Sequence, residues 1–212
     1  MFLLGIFLCL NRIDTKVLHS LQEGGIFMIL SGDSIKKELR EGRLVRCDDK
    51  TTLDLLLSHV GPNSLDVRLG DTFKVLEIPS DGVIDIHEKQ RYKTIPLDSK
   101  GSFILEANGF CLATTVEYLC LPNDVCALID GRSTTGRMGL VVETAGMINA
   151  GYHGAITLEL KNLTNYPIRM YPGDCVSQIR FERLDQAASE PYRGVYYQQE
   201  GTTEPASLTQ GF

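Results

Sequence analysis

Nine short runs of β-forming residues follow one another between positions 71 and 184, at 71–78, 83–86, 103–106, 110–121, 125–129, 140–144, 155–163, 168–171 and 175–184. Gly, Pro, Asn or Asp punctuates the intervals, so each run is closed off before it can lengthen. Many short strands of similar spacing bury their apolar faces against one another, which argues a sandwich or distorted barrel. The expected fold class is therefore mainly β, with a short N-terminal helix and few helical turns. At 212 residues and 43% hydrophobic content the chain can build one domain with a sizeable core, and no low-complexity linker or longer repeat divides it.

The helix is expected at 31–42, where Ser31 or Asp33 can cap, Ile35 and Leu39 fall four apart on one face, and Gly42 ends the turn. The stretch 61–70 alternates Leu65, Val67 and Leu69 with Asp66 and Arg68, and the plainer reading of those two charges is a surface pair on a strand. A net charge of -6 argues against a general nucleic-acid or anionic-membrane binder, so an anionic ligand must be held locally. The six cysteines, at 9, 47, 111, 120, 126 and 175, form no C-x-x-C pair, and four lie in apolar strand-like runs. That usage fits free thiols in a reducing, cytoplasmic compartment.

Chemistry concentrates where the run at 125–129 breaks into Asp130-Gly-Arg-Ser-Thr-Thr-Gly-Arg-Met-Gly-Leu140. Ser133 can cap a short helical turn there, and Arg137, four positions on, then shares its face. Arg132 stands beside them, and an arginine fork suits phosphate oxygens. In the run that follows, Ile156, Leu158 and Leu160 alternate with Thr157, Glu159 and Lys161, so Glu159 leaves the face opposite Ile156. Taken singly, two loop arginines are more often solvated or salt-bridged, and a strand glutamate is usually the wet face of a sheet. The glycine spacing of a phosphate loop is present, but Arg137-Met138 stands where that motif needs Lys and then Ser or Thr, so the P-loop reading is rejected.

Gly131-Arg-Ser-Thr-Thr-Gly-Arg-Met-Gly-Leu140, Thr144-Ala-Gly-Met-Ile-Asn-Ala-Gly-Tyr-His-Gly154, Ile156-Thr-Leu-Glu159 and Pro172-Gly-Asp-Cys-Val-Ser-Gln178 resemble the consecutive motifs of dCTP deaminases, relatives of the trimeric dUTPases. The resemblance extends to Met28-Ile-Leu-Ser-Gly32, Pro62-Asn-Ser-Leu-Asp-Val-Arg-Leu-Gly70 and Gln199-Glu-Gly-Thr202, covering nearly everything after residue 27. It implies a distorted β-barrel domain over 28–195, a C-terminal lid over 196–212, and a homotrimer with sites shared between neighbours. By its own composition the tail from Tyr196 onward, rich in Gly, Thr, Gln and Pro, reads as a flexible end. Residues 1–27 are expected to be an extension upstream of the biological start at Met28. Their apolar run from Phe2 to Leu10 lacks the charged flank of a signal peptide, and a bilayer span needs roughly 20 residues.

Zinc deamination of a base needs His-x-Glu and Pro-Cys-x-x-Cys, and the sequence holds neither. The resemblance instead gives the general-base role to Glu159, with Ser133 and Arg137 placing the water and polarising the intermediate. It gives the triphosphate to Arg132, with Thr134, Thr135 and Gly136 in the same loop and magnesium accompanying the phosphates. Thr157 and Leu158 would read the base through backbone groups. Thr144, Ala145 and Asn149 would line the nucleoside pocket, and Gln178, Tyr192, Tyr196 and Gln199 match nucleotide contacts or the closing segment. Taken alone, Gln178 divides evenly between a ligand contact and a sheet-end hydrogen bond. The resemblance also brings dTTP as a feedback inhibitor.

Two departures bear on the product. The dUTPases and the bifunctional deaminases carry an aspartate where this chain has Asn149, which lacks the charge that positions a hydrolytic water. Yet Ala145-Gly146 and the short spacing from Arg137 to Asn149 look like the bifunctional members. Val195 replaces a lysine that many members place near the phosphates, so weaker phosphate contact or a substitute cation is expected. The first expectation is hydrolytic deamination of dCTP to dUTP and ammonia. Its alternatives are a bifunctional enzyme giving dUMP and pyrophosphate, and a catalytically silent nucleotide-binding regulator. Retention of Glu159, Ser133 and Arg137 together speaks against the last.

Overall fold

The computed structural model describes residues 28–143 and 146–208; the expectation for residues 1–27 lies outside them, as do Thr144 and Ala145. The short β1 (Met28–Ile29) leads into α1 (Gly32–Arg40), where Ser31 Oγ accepts the Ser34 N–H at 3.3 Å. Ile35 and Leu39 are buried as their spacing requires, and Gly42, at φ +72°, takes the left-handed turn that ends the helix. After β2 (Leu44–Val45) comes a helix the sequence reading lacked, α2 (Lys50–Ser58). The Asp49 carboxylate caps it by accepting from Thr52 N at 2.8 Å. Its signal is weak because only Leu56 is fully buried, so no stripe of period 3.6 stands out.

The strands β3 (Leu65–Arg68), β4 (Phe73–Leu76), β5 (Tyr92–Ile95), β6 (Phe103–Leu105), β7 (Phe110–Cys120), β8 (Val125–Gly131), β9 (Leu140–Glu143), β10 (Met147–Ile148), β11 (His153–Asn162), β12 (Ile168–Met170) and β13 (Cys175–Arg183) follow. A five-residue helix, α3 (Ser133–Arg137), lies between β8 and β9. One sheet runs β1-β13-β8-β10 with β3 also on β13; a second runs β5-β4-β7-β11-β9 with β2 also on β7; β12 and β6 form a ribbon. Every strand pair in these sheets is antiparallel, so the fold is mainly β. The two large sheets share one core, in which Leu65, Val67, Ile179 and Phe181 meet Ala113, Leu119, Leu158 and Leu160, and Phe73 stacks on Phe103 at 4.3 Å.

One expected strand is absent: 83–86 is a loop. Gly82 turns at φ +75°, and the Asp81 and Asp85 carboxylates accept from Val83 N and His87 N, tying the backbone to local side chains instead of a ladder. β5, formed by Tyr-Lys-Thr-Ile with both central residues exposed, carries too little apolar alternation to be read in advance. The surface-pair reading of Asp66 and Arg68 is also corrected. Arg68 donates from Nε and from its own backbone N–H to the Glu117 carboxylate, both at 2.7 Å, and the Glu117 side chain is 1% exposed. Asp66 binds Arg132.

Candidate active site

On β7 the odd-numbered residues Cys111, Ala113, Thr115, Glu117 and Leu119 face inward. The other face therefore carries Leu112 and Thr114, and with them the directly paired Glu159 and Thr157 of β11. Lys74 of β4 is also paired with Leu112, so Lys74, Leu112 and Glu159 form one row across three strands. A β-bulge between Ala155 and Thr157 resets the alternation of β11 at this point. Thr115 Oγ1 accepts from Ile156 N at 2.9 Å, and Thr114 Oγ1 donates to Ile156 O at 3.2 Å, which satisfies the backbone the bulge frees.

A cavity of about 480 Å³ opens over this row, within the size range of small-ligand sites. Thr157 and Glu159 lie against it, with Tyr92, Phe110 and Leu112 from the neighbouring strands and Gly146 to Asn149 along one side. Tyr152, Tyr192, Tyr196 and Gln199 form a further wall. Burial pushes the Tyr152 phenol upward, with the nearby Tyr192 adding to the effect, so it stays protonated and donates to Ala155 O at 2.8 Å. Burial likewise raises Tyr92, and the charges of Glu204 and Glu159 raise it further. Leu158 is buried in the core and is not among the residues lining the cavity.

The tail completes the enclosure. Gln198 N donates to His153 O at 2.8 Å, Ala155 N to Gln199 O at 3.1 Å, and Thr203 N to Thr157 Oγ1 at 3.2 Å. Thr202 Oγ1 donates to Thr72 O at 2.7 Å, and Ala206 N to Tyr196 Oη at 3.1 Å. Over 196–208 the flexible-end reading is thus corrected. Its sparse apolar content is offset by backbone and hydroxyl bonds onto β11 and the turn before β4, which composition does not register.

The residues around α3 lie apart from this cavity. Arg132 holds Asp66 Oδ2 through Nη2 and Cys175 O through Nη1, both at 3.0 Å, and Thr135 Oγ1 donates to Arg132 O at 2.9 Å. Arg132 and Thr135 line a second cavity of about 310 Å³ with Met138 and Cys175. Ser133 is the first helical residue and not the cap: that position belongs to Arg132, which makes no side-chain capping bond. Ser133, Thr134, Gly136 and Arg137 are exposed. Gln178 makes a long hydrogen bond of 3.4 Å to Gly131 O, the sheet-end partner, and Val195 is exposed.

The structure therefore brings Glu159, Thr157, Asn149, Tyr192, Tyr196 and Gln199 to one cavity and gathers Arg132, Ser133, Thr134, Thr135, Gly136 and Arg137 around α3. Among the described residues the charged side chains lining the Glu159 cavity are Glu159 and Glu204, and no basic one does so. A carboxylate in an aromatic-walled hollow can take and return a proton beside a planar base, but this half alone offers a polyanion no counter-charge. No group of three or more His, Cys, Asp or Glu side chains suited to a metal gathers among the described residues. Tyr92, Lys74, Thr203 and Glu204 were missed by the sequence reading, since they fall outside every quoted motif; the strand alternation of Lys74 was the one available signal.

The profile of the dCTP deaminase-like family matches residues 29–184. A relative from Sulfurihydrogenibium sp. (strain YO3AOP1) bearing the name dCTP deaminase, dUMP-forming, is 37% identical over 179 residues, covering 83% of this chain and 95% of its own. One of the same name from Aquifex aeolicus is 40% identical over 174 residues, covering 82% of this chain and 92% of its own. The crystal structure of 2'-deoxycytidine 5'-triphosphate deaminase from Agrobacterium tumefaciens superposes with a TM-score of 0.55 at 26% identity. That match covers 74% of this chain and 47% of the Agrobacterium chain.

Proposed function

The chain belongs to the dCTP deaminase-like family, and on that premise we propose that it deaminates dCTP hydrolytically and carries the product on to dUMP and pyrophosphate. The observation that carries the first step is Glu159 at a cavity large enough for a nucleoside and walled by Tyr92, Tyr152 and Tyr192. Glu159 takes a proton from water as it adds to C4 of cytosine and returns it to the departing amine, giving uracil and ammonia. Charge develops at N3 and on the C4 oxygen, where Ser133 and Arg137 act as donors. Arg132 binds the phosphates, and magnesium enters with them as part of the substrate.

Within one chain the donors stand apart from the acid, and the cavity has no lining cation among its described residues. We read the working unit as a homotrimer of distorted barrels in which α3 of one copy faces the Glu159 cavity of another. The segment 196–208 then acts as the lid, sealing the cavity against bulk water. The proton relay assigned to Glu159 calls for no resident metal, so the deamination is read as zinc-independent.

Formation of dUMP is favoured over release of dUTP by the names of the relatives, which reverses the order of the two expectations from sequence. Asn149 is present at the cavity, so the water for the second hydrolysis must be held without a carboxylate at that position. Incubating the protein with dCTP and magnesium, and following ammonia, dUTP, dUMP and pyrophosphate separately, tests both steps. Ammonia with dUMP and pyrophosphate is the expected result. Accumulating dUTP would remove the second step and make Asn149 the residue that blocks it, and absence of ammonia would overturn the reading.

A further inference from the structure

The acidic end of the Glu159 cavity has a second carboxylate that none of the family motifs supplied. Glu204 sits on the tail and lines the cavity beside Tyr92 and Glu159. It is held from both sides. Thr202 and Thr203 bond to Thr72 and Thr157, and Glu204 Oε1 accepts from Lys74 Nζ at 2.9 Å. Lys74 shares a row with Glu159 through Leu112. The ion pair occupies that ammonium and leaves Glu159 and Glu204 as the charges lining the cavity among the described residues.

A triphosphate nucleotide has two dissimilar ends, and the cavity must admit only one of them to Glu159. With the Lys74 ammonium neutralised by Glu204, the charge of Glu159 in this aromatic-walled space repels a polyanion far more than a neutral pyrimidine. We propose that Glu204, by neutralising Lys74, is a specificity-determining residue that denies the phosphate end of the nucleotide a counter-charge at this cavity and so commits cytosine to it. The device works by penalising the wrong pose; it adds no contact to the right one. It rests on the reading of the site as a dCTP deaminase.

Glu204→Gln removes the counter-charge of Lys74 and releases its ammonium toward the cavity. The probe is inorganic tripolyphosphate, measured by calorimetry on the full chain, alongside turnover of dCTP and of uncharged deoxycytidine. The variant should bind tripolyphosphate about tenfold more tightly than wild type, a difference that Lys74→Met in the same chain should abolish. Because the wrong pose is non-productive, kcat and KM for dCTP should fall together by a similar factor with kcat/KM unchanged, and deoxycytidine, which carries no phosphates, should show no such paired fall. Unchanged tripolyphosphate affinity, or an equal loss on dCTP and deoxycytidine, would overturn the proposal and leave Glu204 as a tail fastener. Failure of the underlying reading is distinguishable, since wild type would then release no ammonia from dCTP whatever the tripolyphosphate result.

Discussion

Replacing Glu159 by Gln abolishes ammonia release from dCTP, a loss on the order of 10²–10⁴-fold or more, while dCTP binding stays measurable. The amide keeps the size and hydrogen-bonding capacity of the side chain but cannot accept the water proton. Among the described residues lining the cavity, Tyr92 is pushed upward by burial and by the neighbouring carboxylates, and Glu204 is engaged with Lys74, so neither replaces it. Binding survives because the substitution leaves the cavity walls untouched, along with Arg132, to which the phosphates are assigned in the proposed function. The measurement is single-turnover ammonia release beside equilibrium titration with dCTP. A variant with wild-type turnover would remove Glu159 from the mechanism.

Replacing Glu117 by Ala is expected to cost about 3 kcal/mol of stability, a fall in Tm of roughly 6–12 °C for a chain of this size. The Glu117 carboxylate is almost wholly buried and accepts from both the side chain and the backbone N–H of Arg68. Truncation leaves that guanidinium without its charge partner and the amide without an acceptor, where β3 crosses β7. Glu117→Gln keeps an acceptor for one of the two donors and should lose about half as much. Thermal unfolding of the three proteins in one buffer reads the series, and a Glu117→Ala protein within about 0.5 kcal/mol of wild type would contradict this account of the pair.

What the sequence disclosed follows from how local each signal was. The burial of Ile35 and Leu39, the inward face of β7 and the outward turn of Glu159 rest on periods of two and 3.6 residues, which a single stretch displays. α2 was hidden because one face of a short helix buries little, and 83–86 was misread because aspartates two residues upstream of Val83 and His87 capture backbone N–H groups that a strand would need. The partners of Asp66 and Arg68 lie 66 and 49 positions away, and no periodicity links such residues. The tail shows the opposite case. Its path along β11 depends on hydroxyl and backbone bonds to Thr72, His153, Ala155 and Thr157, which composition scores as disorder.

At the site, the resemblance supplied Glu159, Asn149, Tyr192, Tyr196 and Gln199, and the structure places them around one hollow. It also supplied Arg132, Ser133 and Arg137, which fold elsewhere on the same chain. Two half-sites on one subunit are what a shared site requires, and a linear motif cannot say which copy each half serves. Tyr92, Lys74 and Glu204 could be found only once β4, β5 and the tail were set beside β7 and β11.

The most direct test of that division is complementation between two inactive chains. Glu159→Gln and Arg137→Ala proteins, each inactive alone, are co-expressed with different affinity tags, and doubly tagged assemblies are assayed for ammonia release from dCTP. A site built from α3 of one copy and the Glu159 cavity of another predicts regained turnover, because some junctions then pair an intact Glu159 with an intact Arg137. Doubly tagged assemblies as inactive as either parent would contradict the shared site and require both groups to act within one chain.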